Sequence, residues 1–281
     1  MGFYVNYAEN AFMWTICTDN DYLKAVLDSQ VLGEDDEETK KLRNKREEVE
    51  GVIRAEFGDA PSIRYGGSYK KRTMIRESYD LDLLCYFGRE DTTGGGTLEE
   101  IYKNVQQALA NNFSVEPKRS AIRLWSIDHA TDFSVDVVPG RFASDSKDDV
   151  YLHQTGGGKK HFKTNPEKHV IHVRDSGHRD VISLTKLWRV RFNLSVKTFV
   201  LELAVIGALD GFREKSIRAR LTQVLAEFRD NIYALKVEDP ANPTGNDLSE
   251  LWSYVVRTAL SDTAELYLAR KIPMFLTDLV L

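Results

Sequence analysis

The chain is short of cysteine: 281 residues contain two, Cys17 and Cys85. Two thiols exclude the disulfide framework of a small secreted domain, and a reducing cytoplasm is the expected setting. No apolar run approaches the ~20 residues of a membrane-spanning helix, so no membrane association is expected. Residues 1–7 lack the basic stretch and following apolar stretch of a secretion signal. A basic excess is missing too, since 38 Lys and Arg face 43 Asp and Glu, for a formal charge of −5. That argues against long nucleic acid as a main partner, which takes a basic surface. It leaves room for a local basic cleft around a nucleoside triphosphate. Zinc-ligand spacing is also lacking: five of the six histidines fall between His153 and His178, none paired with cysteines, so no zinc site is expected.

What is present is ordinary in bulk, 42% hydrophobic and 29% charged, as in a globular protein with a core to bury. The informative stretch is 66–84, Gly-Gly-Ser-Tyr-Lys-Lys-Arg-Thr-Met-Ile-Arg-Glu-Ser-Tyr-Asp-Leu-Asp-Leu-Leu. A β-like run over 62–65 leads into it and a second, over 81–87, leads out. Side chains two apart on a strand share a face, so Asp80 and Asp82 project together while Leu81, Leu83, Cys85 and Phe87 face a core. Carboxylates that close repel unless a cation sits between them, and hard oxygen ligands suit Mg²⁺ or Mn²⁺. Gly67 and Ser68, ahead of a helical turn, offer backbone N–H groups and a hydroxyl to phosphate oxygens. Lys70, Lys71, Arg72 and Arg76 suggest a basic cleft beside them. Each feature alone has a plainer reading: Asp-x-Asp as a polar strand edge, Gly-Gly-Ser as a turn. Their joint spacing favours chemistry, and so does a third strand-borne carboxylate. In 132–138, Asp132, Ser134 and Asp136 share one face; Phe133, Val135 and Val137 share the other.

The order Gly-Ser, strand Asp-x-Asp, later strand Asp resembles the DNA-polymerase-β nucleotidyltransferase superfamily, where this set builds the active site. Further along, Ile182-Ser183-Leu184-Thr185-Lys186-Leu187-Trp188 and Val196-Lys197-Thr198-Phe199-Val200-Leu201-Glu202 are similar to the helical half of two groups: oligoadenylate-synthase-like enzymes, and the bacterial cyclic-oligonucleotide synthases related to cyclic GMP-AMP synthase (CD-NTases). Residues 237–247, with their two prolines, resemble the Asp-Pro-x-x-Pro-x-x-Asn segment of oligoadenylate-synthase-like enzymes and the archaeal CCA-adding enzymes. By chemistry alone they are a turn and a helix cap.

Along the chain, a short helix is expected over 21–27 and a long charged one over 35–57. The stripe of Val49, Val52, Ile53 and Phe57 faces inward and Gly58 stops the helix. Gly94-Gly95-Gly96 reads as a flexible link, because no strand-to-helix Gly-x-Gly-x-x-Gly context surrounds it. A helix follows over 98–110, then strands over 114–116 and 121–127. Residues 141–175 are poor in apolar periodicity, and 154–166 within them read as a long flexible connection. From 179 the chain turns helical: 181–192, a helix from about 194, 214–235, and a last one over 247–270. A lysine in a mostly apolar helix must end at a carboxylate, a phosphate or solvent. The resemblance gives Lys186 and Lys197 to the triphosphate.

The resemblance implies an α+β fold: a nucleotidyltransferase half with a mixed sheet over 1–175, a helical half over 176–281, and a central active-site cleft between them. It implies two divalent ions, Mg²⁺ or Mn²⁺, held by Asp80, Asp82 and Asp136. Gly67 and Ser68 would bind phosphate, and Asp136 would also serve as base. The expected activity is joining of nucleoside triphosphates (ATP, with GTP, UTP or CTP left open) to a cyclic di- or trinucleotide in bacterial anti-phage signalling. A regulatory or effector protein is admitted as a partner. Nucleotide addition to RNA ends and a nucleotide-binding regulator remain the alternatives.

Overall fold

The computed structural model describes residues 19–126, 133–156, 160–242 and 246–269. Asp132, Cys17, Ile127 and the stretches 157–159 and 243–245 lie outside them. The chain clusters into two units, one of residues 32–179 and 238–247, the other of residues up to 31, 180–237 and from 248 on.

In the first unit, α2 (Glu37–Phe57) turns Leu42, Val49, Ile53 and Phe57 inward, and Gly58 at φ 59° ends it. A seven-stranded sheet follows, built from β1 (Ser62–Tyr65), β2 (Leu81–Phe87), β3 (Phe113–Pro117), β4 (Ile122–Ser126), β5 (Val135–Phe142), β6 (Val150–His153) and β7 (His161–Thr164). β5 is its hub. β2 runs parallel to β5 along one edge, while β4 and then β6 pair antiparallel along the other. Strict alternation sends Leu81, Leu83, Cys85, Phe87, Ile122, Leu124, Val135 and Val137 into one core. There they meet α2 and α4 (Leu98–Ala110), which opens with a capping box between Thr97 and Glu100. The opposite face of the sheet carries the aspartates, and further along it a smaller cluster of Tyr86, Phe142, Val150 and Leu152.

Two expectations are corrected in this unit. The stretch 154–166 is not all loose connection: His161–Thr164 forms β7, paired with β6 as a hairpin, and Asn165 caps α5 (Pro166–Arg174) through its side chain on Lys168 N–H. The glycines 94–96 are no flexible link either. A Cβ on Gly94 would sit 2.5 Å from the Phe87 ring, and the Arg141 guanidinium donates to the carbonyls of Asp91, Gly95 and Gly96. They are glycines because the loop packs against buried rings and helix.

The second unit is helical: α1 (Asp19–Gln30), α6 (Arg179–Arg191), α7 (Thr198–Ala208), α8 (Ile217–Asn231), a 3₁₀ turn (Leu248–Leu251) and α9 (Tyr254–Ala269). Eight consecutive buried residues, Val181 to Trp188, bury this part of α6 on all sides. Trp188 stacks on Phe228, and Phe228 meets Trp252 edge to face, in series through its core. Asp180 takes the Arg220 guanidinium with both oxygens, tying α8 to the start of α6. No helix among the described residues is long and apolar enough to cross a membrane.

Candidate active site

The three aspartates come to one face of the sheet. Asp82 on β2 and Asp136 on β5 are register partners of adjacent parallel strands, which places their Cβ atoms about 5 Å apart. Asp80 lies just ahead of β2, where Leu81 N–H donates to the Ser134 carbonyl and locks the two strands together at 3.1 Å. All three side chains are half-buried.

Gly67 and Ser68 open the short helix α3 (Gly67–Lys71), seated directly on Asp82. Gly66 N–H donates to the Asp82 carbonyl at 2.9 Å. Gly67 has φ +49°, and a Cβ there would fall 1.5 Å from Asp82 Oδ2. Only glycine lets the backbone lie against that carboxylate. The Ser68 carbonyl accepts from Thr73 N–H at 3.0 Å, and Arg72, left-handed at φ 59°, turns the chain out of the helix. The Gly-Ser pair thus sits beside the carboxylates, as its spacing predicts.

Of the four cations expected to form a basic cleft, two are exposed, Lys70 and Arg72. Lys71 is buried. Arg76 is bound by Asp36 (2.7 Å) and Glu38 at the start of α2. The Arg76 guanidinium holds the Glu38 carboxyl below its ordinary range, and the Gly33 N–H followed by Arg76 does the same for Asp36. Arg76 therefore anchors the 73–78 turn to α2. In the helical unit, Lys186 is 3% exposed and its ammonium lies 3.6 Å from Glu202, itself 1% exposed. Of the three endings open to a lysine in an apolar helix, this one has a carboxylate. Lys197 is exposed, at the N-cap of α7.

One residue that the sequence reading passed over stands in the middle of the site. Arg123 on β4 is the register partner of Asp136. Its Nε donates to Asp136 Oδ1 and its Nη2 to Oδ2, both at 2.7 Å. Asp136 above all, with Asp80 adding to it, raises the Arg123 pKa further above its already high ordinary value. Part of the signal was available: Arg123 alternates with Ile122 and Leu124, so on a strand it must leave the core face. Trp125, half-buried and two residues on, takes the same face.

In kind and placement the residues fit divalent cations: hard carboxylate oxygens from two adjacent strands, with a backbone cleared of Cβ beside one of them. In the conformation seen, both oxygens of the third carboxylate are engaged by Arg123. Among the described residues no three His, Cys, Asp or Glu side chains are already arranged around a common ion position.

No family model and no curated protein matches the sequence. Solved structures do match in fold. The Bradyrhizobium diazoefficiens CD-NTase CdnG in complex with GTP superposes with TM-score 0.73 at 13% identity, over 94% of this chain and 98% of that one. The Elizabethkingia meningoseptica CdnE cyclic dinucleotide synthase with GTP and Apcpp gives 0.66 at 17%, over 91% and 100%. The E. coli MS115-1 CdnC in complex with a HORMA protein gives 0.66 at 18%, over 94% and 95%. The chain has the α+β fold of these proteins, a mixed sheet with helices, as the resemblance implies.

Proposed function

We propose that this chain is a metal-dependent nucleotidyltransferase that joins nucleoside triphosphates, releases pyrophosphate and makes a cyclic di- or trinucleotide signal of bacterial anti-phage defence. The observation that carries the reading is Asp82 and Asp136 abreast in register, with Asp80, Gly67 and Ser68 on the same face. The shared fold with a cyclic dinucleotide synthase and with nucleotide-bound CD-NTases supports it. The CdnC–HORMA complex supports a protein partner as the place where activity is set.

Asp80, Asp82 and Asp136 would hold the divalent ions, which when bound neutralise the triphosphate and lower the pKa of an attacking ribose hydroxyl. The chain's own residues do the positioning. The Ser68 hydroxyl and the first-turn N–H groups of α3, which lack intrahelical partners, hold the β- and γ-phosphates. The ribose oxygen forms its bond to the α-phosphorus as the bond from that phosphorus to the bridging oxygen breaks, and pyrophosphate departs. Asp136 takes the hydroxyl proton. Placement and charge neutralisation supply most of the acceleration.

Incubation with mixed nucleoside triphosphates and Mg²⁺ or Mn²⁺, followed by mass spectrometry, tests this. A phosphatase-resistant product without added RNA is expected, and its loss in Asp80→Asn/Asp82→Asn with circular dichroism unchanged. Unchanged turnover in that double variant refutes the assignment, and elongation of added tRNA alone moves the chain to the RNA-tailing class.

A further inference from the structure

Four charged side chains stand in one row across four strands. Asp82 on β2 pairs in register with Asp136 on β5, Asp136 with Arg123 on β4, and Arg123 with Glu116 on β3. Their neighbours along each strand, Leu83, Val135, Val137, Ile122, Leu124 and Val115, all face or pack on the core, so the four project from the other face. Strands lie about 4.8 Å apart, so Arg123 has a carboxylate within its reach on either side. It bonds one of them with both arms of its fork. The other, Glu116, is 54% exposed and turned to Lys118 at 2.6 Å.

An Asp136 held this way is a poor ligand, because both its oxygens are taken by a fixed cation. A divalent cation beside Asp82 competes for those same oxygens and repels the guanidinium next to it. Removing Arg123 from Asp136 would leave a half-buried charge unpaired unless another carboxylate stood ready. Glu116 supplies that second seat; it is the exposed member of its pair with half-buried Lys118, so leaving that pair costs little.

We propose that Arg123 is a two-position latch on Asp136: it closes the third carboxylate off until metal and triphosphate occupy Asp80 and Asp82, then moves across β4 to Glu116. The site therefore fills in order, and Asp136 joins only when a substrate is in place. Arg123 is a positioning residue here, and the inference rests on the nucleotidyltransferase reading above.

The test is Mn²⁺ binding to the full chain with a non-hydrolysable triphosphate analogue, read as free Mn²⁺ by electron paramagnetic resonance. Wild type should show a tighter and a weaker class of sites. Arg123→Gln should tighten the weaker class about tenfold, the worth of a charge-assisted forked pair. Glu116→Gln should loosen it several-fold, because the latch loses its open seat. In Arg123→Gln/Glu116→Gln the Glu116 effect should vanish, which simple removal of a surface charge would not produce. Arg123→Lys, which keeps the charge without the fork, should fall between, and circular dichroism confirms that each variant is folded. Unchanged or weaker binding in both folded Arg123 variants overturns the latch, as does a Glu116 effect that persists without Arg123. Mn²⁺ binding no different from that of Asp80→Asn/Asp82→Asn overturns the nucleotidyltransferase reading along with it.

Discussion

Gly67 and Asp82 constrain each other. The positive φ of Gly67 brings the backbone of α3 onto the Asp82 carboxylate, where a Cβ would overlap Oδ2. Gly67→Ala is therefore strained in backbone and must displace the carboxylate. It should cost about 1–3 kcal/mol of stability and lower turnover far more than that loss explains, checked by denaturant midpoint against pyrophosphate release. Lys186 poses a different question. With Glu202 beside it in a buried helical core, Lys186→Met should destabilise by about 3–5 kcal/mol, and Lys186→Met/Glu202→Met should recover most of that. Chemical denaturation of the two variants decides it. At this scale the sequence made the aspartates, Gly67 and Ser68 legible, because spacing on a strand dictates which way a side chain points. It left the fate of Lys186 open, because a lysine's terminus is set by whichever carboxylate the fold brings to it. Arg123 stayed hidden for the same reason: its role depends on which strand lies next to β4, and pairing across 13 residues is a tertiary fact.

Among the elements, long periodic ones were readable, and short ones only where a motif or a break marked them. The stripe of α2 and the alternation of β2 each span enough residues for a pattern to stand out, and the observed bounds Glu37–Phe57 and Leu81–Phe87 follow it. β6 and β7 are as short as β1 but lie in a stretch rich in Gly, Lys and His with no motif beside them, and α5 carries only Val170 and Val173 as buried residues. What makes β6 a strand is β5 beside it. Gly140 is the point of closest approach: a Cβ there would lie 2.6 Å from Leu152 and 2.9 Å from the Tyr151 carbonyl. Gly140→Ala should then cost about 1–3 kcal/mol and part β6 from β5. Hydrogen exchange should rise in β6 and β7 while the β1–β2 pairing stays protected. Faster exchange spread evenly over the sheet would mean that the hairpin is not the part that Gly140 holds.

On the scale of the whole molecule the chain is less sequential than a cut near 175 implies. Residues 19–31 cluster with the helical unit, and after α8 the chain returns residues 238–247 to the sheet unit. A turn-like composition gave no hint of where that segment would lie. It is fastened there by Asp239, which accepts from Ala241 N–H (2.9 Å) and from the Asn246 amide (3.0 Å), and pairs with His169 Nε2 of α5 at 2.8 Å. Burial pushes the His169 pKa below its ordinary 6.5, the Asp239 carboxylate opposes that shift, and Lys71 and His172 add to it. Burial also lowers His172. With Nε2–H donating to Asp239, the folded chain keeps His169 neutral where the unfolded chain binds a proton. The unfolded state therefore gains protons as pH falls through about 6.5, and the stability present above that pH is lost below it. Melting temperature should drop between about pH 7.5 and 5.5, a window set by the histidine shift. His169→Gln, which keeps a donor to Asp239 but cannot titrate, should flatten most of that slope, leaving the part due to His172. An undiminished slope in this variant would place the proton uptake elsewhere and leave Asp239 held by its own segment alone.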